Sequence, residues 1–193
     1  MSKKRRAASG LINLLRGSRR PLRAVSDLRA ASRAEEYKGI IHGVLASPFY
    51  ARQVFGQRTP RSFSALEHRR KLTAVDNVDE VLWTIQYCLA EREFLADFVS
   101  QKCHFDEAIL MGNAAEAEVV LRGVEDTCGL SLWSIQQRIA ILQETGGLEA
   151  QKSYVRTIRQ ATQSRSLPGF VAFHTSIRSE PAVHPARYRQ QLD

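Results

Sequence analysis

Long apolar runs are missing from this chain of 193 residues. A helix that crosses a membrane needs roughly 18 or more apolar residues in succession. The longest candidate, GIIHGVLASPF, is interrupted by Gly43 and by Pro48. The sequence therefore predicts that no segment spans a membrane.

Cysteine is scarce and its spacing is irregular. Cys88, Cys103 and Cys128 lie far apart, and they form neither a C-x-x-C pair nor a zinc-ligand spacing. An odd and sparse set of this kind is typical of a reducing compartment. We expect each cysteine to be a small buried or half-buried hydrophobic residue, and we expect the protein to be cytoplasmic, without a bound metal.

Catalytic motifs are also missing. The chain has no phosphate-binding glycine loop, no H-E-x-x-H and no G-x-S-x-G. The five histidines are scattered: His42, His68, His104, His174 and His184. We therefore predict no catalytic residue, no cofactor and no metal site. An enzyme whose site is assembled from distant residues is the third and weakest hypothesis, because motif reading does not detect such a site.

Two local clusters of polar residues are candidate functional sites. The segment CHFDE places Cys103 and His104 beside two acids, which could serve a metal or a Cys-His nucleophile. Adjacent residues point in different directions on a helix, so a helix end with capping acids is the better interpretation. Glu93 and Asp97 share one face of a predicted helix, and they are expected to face solvent.

Acidic residues are almost absent from the N-terminal region. Residues 1–33 contain ten Lys or Arg and only Asp27 as an acid, a net charge of +9, whereas residues 34–193 sum to −1. The candidate contacts to nucleic acid or to an anionic surface are the basic residues Lys3, Lys4, Arg5, Arg6, Arg16, Arg19, Arg20 and Arg23. These residues would bind phosphates with little sequence selectivity.

The basic N-terminal arm, residues 1–20, also carries a short apolar stripe made of Leu11, Ile12, Leu14 and Leu15. Three interpretations remain open. The leucines of the arm dock on the rest of the protein. The arm is an electrostatic anchor for nucleic acid or an anionic membrane. Residues 1–33 are an organelle import segment, which is typically rich in Arg and Ser and poor in acids.

Apolar residues recur at helical spacing through most of the chain. Helices are predicted from Pro21 to Pro48, over residues 78–101, over residues 114–128, from Ser131 to the Gly146–Gly147 pair, and beyond that pair. The helix over 78–101 is the longest, and its nearly all-round apolar content predicts a central, buried position. Trp83 and Trp133 are expected to pack in the core.

The region after residue 163 has a different texture, with several prolines and no sustained period. Within it, GFVAFHTSI is interpreted as a short strand or as an extended segment that covers the helices. The predicted fold is all-α: an antiparallel helical bundle or a short helical-repeat array with a basic N-terminal arm and an irregular C-terminal tail. The predicted boundaries are 1–20 for the arm, 21–163 for the helical domain, and 164–193 for the tail or the start of a further region.

Residues 112–128 resemble the second half of a tetratricopeptide repeat. Gly112 lies in the turn, the small Ala117 follows five residues later, and Leu121 and Val124 are the larger apolar residues. The resemblance covers one helix. The preceding segment has other residues at the Trp, Leu, Gly and Tyr positions of the family, Gly129 replaces the expected proline, and no second copy follows at a period of about 34 residues. The resemblance implies helical-hairpin packing.

These observations favour a non-enzymatic helical scaffold that binds a protein partner or another domain of a longer chain. Capped helices, short breaks and missing catalytic motifs motivate this hypothesis. A protein that binds nucleic acid through residues 1–23 is the alternative.

Overall fold

The computed structural model describes residues 20–67, 76–163 and 166–180. Within these ranges the regular elements are helices, and the prediction of an all-α fold is confirmed. The α-helices are α1 (Pro21–Ala31), α2 (Ala34–Leu45), α3 (Pro48–Val54), α4 (Asn77–Ala90), α5 (Arg92–Leu110), α6 (Ala114–Cys128), α7 (Leu132–Ala161) and α8 (Leu167–Arg178). A 3-10 helix covers Phe63–Glu67.

The described residues fall into two compact units. Unit 1 contains residues 20–58 and 76–96, and unit 2 contains residues 59–67, 97–163 and 166–180. The helical domain expected over residues 21–163 contributes to both units, and its boundaries remain a prediction.

The core of unit 1 forms where α2 packs against α4. Tyr37, Ile41 and Val44 recur at three-and-four spacing along α2, and all three are fully buried. Trp83 of α4 is 5% exposed, and its ring meets Tyr37 edge to face at 5.3 Å. The spacing therefore places one apolar side of α2 against the inner side of α4, which confirms core packing for Trp83.

An arginine lies inside this apolar core. Arg29 of α1 is 2% exposed, and its guanidinium pairs with Glu80 and lies 5.2 Å from the centre of the Trp83 ring. The Glu80 side chain is 43% exposed. A buried charge needs a compensating partner, so this ion pair joins the end of α1 to the first turns of α4.

Unit 2 is built on α7, which packs against α6 and α8. Arg138 of α7 bridges to α6 through Glu125 at 2.5 Å and Glu118 at 3.9 Å. Burial, followed by the charge of Glu125, raises the pKa of the Tyr154 hydroxyl on the same helix. The predicted break at the glycine pair is present, because the backbone leaves helical geometry at Gly147 with φ 70°.

The single helix predicted over residues 78–101 is wrong in its extent. Glu91 has φ −103° and ψ 15°, so the chain leaves α4 there and begins α5 at Arg92. The segment contains neither glycine nor proline, and nothing local predicts a break. The Glu91 side chain is 12% exposed and forms an ion pair with Arg58 at 2.7 Å. A tertiary contact thus accompanies the change of direction.

The strand or extended segment expected in GFVAFHTSI is also wrong, because these residues belong to α8. The Ser166 side chain accepts a hydrogen bond from the Gly169 amide at 3.2 Å, and Pro168 lies in the first turn. Serine before an early proline is a helix-start signal. The C-terminal tail is therefore helical over Leu167–Arg178, and residues 181–193 lie outside the described residues.

At Gly129 two backbone segments of unit 2 approach so closely that a residue with a side chain does not fit. Its φ is +83° and its ψ −179°, a combination that is nearly restricted to glycine. A Cβ there would lie 2.6 Å from the backbone nitrogen of Pro60. The neighbouring Leu130 amide donates to the Pro60 carbonyl at 2.7 Å, and Arg61 donates to the carbonyls of Glu125 and Asp126 at the end of α6.

Replacing Gly129 by alanine is expected to destabilise the protein by about 2–4 kcal/mol, because backbone strain adds to a backbone clash. Urea unfolding followed by circular dichroism measures this loss. The matched control is Gly39→Ala in α2, where a Cβ meets no atom within 4 Å, and a gain of about 0.5 kcal/mol is expected. Equal effects of the two substitutions would contradict the close approach at Gly129.

The buried ion pair predicts an asymmetry between its two partners. Glu80→Gln leaves the buried Arg29 charge uncompensated, and a loss of about 2 kcal/mol is expected. Arg29→Met keeps most of the buried stem and leaves a carboxylate that water can reach, so a loss of about 1 kcal/mol or less is expected. Urea unfolding of both variants measures which substitution lowers the free energy of unfolding more. A larger loss for Arg29→Met than for Glu80→Gln would contradict this expectation, because it would show that the guanidinium gives a net stabilisation.

Candidate protein-interaction surface

Helix α4 begins at a strong cap. The Asp76 side chain accepts hydrogen bonds from the Val78 and Asp79 amides at 2.8 and 2.9 Å. A carboxylate at this position also interacts favourably with the positive end of the helix dipole. The helix that was predicted to begin at residue 78 therefore begins one residue earlier, at Asn77.

The inner side of α4 is covered by its own unit. Trp83 is buried against α2, and the Tyr87 ring stacks on Phe55 at 4.3 Å. Burial, with a smaller contribution from Glu91, raises the pKa of the Tyr87 hydroxyl. This side of the helix is therefore part of the core of unit 1.

The opposite side of α4 is apolar and exposed. Its large aliphatic side chains are Val78, Val81, Ile85 and Leu89, with exposed fractions of 68%, 56%, 46% and 57%. Spacings of three, four and four residues place them on one side of a helix. We call these four residues the outer face of α4. The sequence analysis predicted that they would be buried in a central helix, and that prediction is wrong.

The charge of α4 has one sign. The sequence of the helix, NVDEVLWTIQYCLA, contains Asp79 and Glu80 and no Lys, Arg or His. Over residues 76–93 there are five acids and one base, Arg92, so the segment has a net charge of −4. The outer face thus lies on a helix with acids near both ends and without a cation of its own.

A cleft lies at the C-terminal end of α4, and the last residue of the outer face lines one of its two cavities. Two adjoining cavities of about 430 and 580 Å³ share His42, Arg58, Ala90 and Glu91. The Arg58 guanidinium pairs with Glu91 and lies 4.6 Å from the centre of the Phe94 ring. The Glu91 carboxylate is therefore held by a permanent cation. An ion pair of this kind braces the turn between α4 and α5.

Most of the predicted basic contacts lie outside the described residues. These are Lys3, Lys4, Arg5, Arg6, Arg16 and Arg19. Arg20 is exposed directly before α1, and Arg23 forms an exposed ion pair with Asp27 at 3.8 Å. The structure therefore describes two of the eight residues, and Asp27 already pairs with one of them.

The two polar clusters considered in the sequence do not form sites in the described residues. Lys102 pairs with Asp106, and no group of three or more possible metal ligands occurs within residues 20–67, 76–163 and 166–180. Glu93 and Asp97 are exposed, as predicted. Cys88 and Cys103 are exposed and Cys128 is half-buried, so the expectation of burial is wrong for the first two.

Trp133 and the helix that resembles a tetratricopeptide segment both contribute to the core of unit 2. The Trp133 ring lies edge-on between Phe98 and Phe105, at 5.4 and 5.3 Å. Ala117 and Leu121 are fully buried. Gly112 has a positive φ of 68° in the turn. The burial pattern predicted for this helix is confirmed, and the family resemblance itself remains a prediction.

None of the described helices combines the length and the apolar content that crossing a membrane would demand. Comparison of the chain with models of protein families, with curated proteins and with solved structures finds no match.

Proposed function

We propose that the protein is a non-enzymatic helical scaffold that binds a protein partner through the outer face of α4. The observation that carries this proposal is the exposure of four large aliphatic side chains at helical spacing on one side of a capped helix. Exposed apolar residues are common singly, but a contiguous row of them is typical of an interaction site.

The chemistry of the outer face indicates the kind of partner that fits. A row of aliphatic side chains along one helix pairs with the apolar stripe of a second helix or with an apolar groove. The absence of cations on α4 and the acids near its ends favour a partner whose apolar stripe is flanked by Lys or Arg. The proposed partner segment is therefore a basic amphipathic helix.

In the cleft of unit 1, the carboxylate of Glu91 is paired with Arg58, which fits a structural role for this ion pair. A contiguous row of exposed aliphatic side chains is more typical of an interaction site. The outer face of α4 is therefore the stronger candidate for function.

Binding of a partner to the outer face should be lost when apolar side chains of this face are replaced by polar ones. The double variant Val81→Ser, Ile85→Ser changes only side chains that are exposed, so the fold should be retained with less than about 1 kcal/mol of lost stability. We expect affinity for the partner to fall by about 10-fold or more, because two apolar contacts are removed. Affinity capture with quantitative mass spectrometry, followed by titration of the recovered partner, measures the change.

The matched control is Val119→Ser on α6, a valine with 69% exposure that does not belong to the outer face. This variant should recover the same partner as the wild-type protein. Recovery that is unchanged in the outer-face variant, or lost equally in the control, would contradict the proposed surface.

Nucleic-acid binding through the N-terminal arm is the second candidate function. Residues 1–20 contain seven Lys or Arg and no acid, which is the composition of a segment that contacts phosphates. The described residues from Ala34 onward do not share this positive charge, since residues 34–193 sum to −1. Any such binding is therefore expected to depend on the arm.

Deletion of residues 1–20 is expected to reduce affinity for a mixed-sequence duplex DNA or RNA by at least about 100-fold at 50 mM salt. For the intact chain, raising the salt to 200 mM should weaken binding by about 10³-fold, as expected for the release of several counterions. Fluorescence anisotropy measures both effects. Undiminished binding by the truncated protein would exclude the arm as the nucleic-acid contact.

A further inference from the structure

We propose that the apolar stripe of the N-terminal arm, Leu11, Ile12, Leu14 and Leu15, binds the outer face of α4 in the same molecule. The arm is then an internal competitor for the surface that binds the partner. This inference rests on the proposed function only in that both use the outer face as a binding surface.

The apolar pattern of the arm matches the outer face. In a helix, positions 11, 14 and 15 lie on one side and position 12 widens that side, whereas Asn13 lies on the opposite side. The outer face offers Val78, Val81, Ile85 and Leu89 over three turns. Two amphipathic helices that pack through such stripes remove both sets of aliphatic side chains from water.

Charge complementarity favours the arm as the occupant. Residues 1–20 carry seven cations and no acid, whereas residues 76–93 have a net charge of −4 and α4 itself carries no cation. Opposite charges of this size attract over about 8–10 Å at physiological salt.

A second copy of the chain is a poorer occupant of the same face. Pairing of two outer faces would bring together two acidic segments, each with a net charge of −2 once the ion pairs with Arg29 and Arg58 are counted, and like charges that face each other oppose association. The arm brings the opposite sign and an apolar stripe in one segment. The occupant that the charges favour is therefore the arm and not a second α4.

The connection between the arm and unit 1 is long enough for this contact. Six Cα–Cα steps join Leu15 to Pro21 and reach about 20 Å when extended. Pro21 stands about 12 Å along α1 from Arg29, whose guanidinium pairs with Glu80 of α4. A helix is about 10 Å across with its side chains. The tether is therefore comparable in length to this span, and the arm can reach the outer face of α4.

Docking of the arm would make binding of a partner conditional. A short tether gives the arm an effective concentration of about 1 mM at the outer face. A partner must compete with this local concentration, or a ligand that binds the cations of the arm must remove it first. The basic arm and the apolar face would then act as one regulated site.

Cys88 provides a probe of the outer face in the intact chain. It lies seven residues after Val81, two helical turns along α4, and it is exposed. Cys103 on α5 is also exposed and is the internal control. Tryptic cleavage after Lys71, Arg92, Lys102 and Arg122 separates Cys88, Cys103 and Cys128 onto three peptides, so each alkylation rate is measured separately.

The test compares the iodoacetamide rates of the full-length wild-type protein, Leu14→Asp and Asn13→Asp. We expect Leu14→Asp to raise the Cys88 rate about tenfold, which corresponds to an arm that is docked about nine-tenths of the time in the wild type. Asn13→Asp introduces the same charge on the opposite side of the stripe, and it should change the rate less than about twofold. The Cys103 rate should be equal in all three proteins.

Equal Cys88 rates in wild type and Leu14→Asp would overturn the proposal. Protection of Cys88 that disappears on dilution would also overturn it, because the arm would then come from another molecule. Loss of partner binding in the Val81→Ser, Ile85→Ser variant combined with equal Cys88 rates would leave the proposed function standing without the internal competitor. Protection of Cys88 by the arm, without any partner whose binding depends on the outer face, would support the internal contact and contradict the proposed function.

Discussion

Helix α4 has apolar side chains on two opposite sides, and the helices of its unit cover only one of them. Trp83 and Tyr87 pack against α2 and Phe55 on the inner side. A helix has about 3.6 residues per turn, so a stripe that faces the core cannot also include residues half a turn away. Val78, Val81, Ile85 and Leu89 are left in water by this geometry. The exposed apolar face is thus a consequence of how α4 is held.

Two ion pairs fix which side of α4 faces inward. Arg29 is buried beside Trp83 and is compensated by Glu80 in the first turns of the helix. Glu91 at the end of the helix is paired with Arg58. Both acids are held by cations from the N-terminal half of unit 1, and a rotation of α4 about its axis would separate both pairs. The cost of an uncompensated buried charge therefore opposes burial of the outer face.

This arrangement connects the charge distribution of the chain to its proposed function. The cations of residues 1–20 have no acids beside them in sequence, and the acids of residues 76–93 have one cation beside them. Arg29 and Arg58 neutralise two of those acids, and the remaining negative charge lies on a helix with an exposed aliphatic row. A basic amphipathic segment complements such a helix in both respects.

The sequence by itself determined the fold class, the starts of α1, α4, α6 and α7 to within about one residue, and the absence of recognisable catalytic motifs. Helical spacing predicted the helices that contain α2 and α6, and Asn113 and Ser131 cap α6 and α7. Glycine allowed the backbone to leave α6 at Gly129 and α7 at Gly147, because positive φ is a local property of that residue.

Only the tertiary structure decided which apolar residues are covered. A hydrophobic side chain shows that burial is favourable, but not that a neighbour is present to provide it, so the outer face of α4 was predicted as core. The break at Glu91 coincides with a partner, Arg58, more than thirty positions away, and the buried Arg29 is stabilised across a similar distance by Glu80. Helix α8 shows the other limit. Its Ser-Leu-Pro segment is a helix-start signal in the sequence, but a short apolar run is compatible with a strand or with a helix. Packing against α7 accompanies the helical conformation.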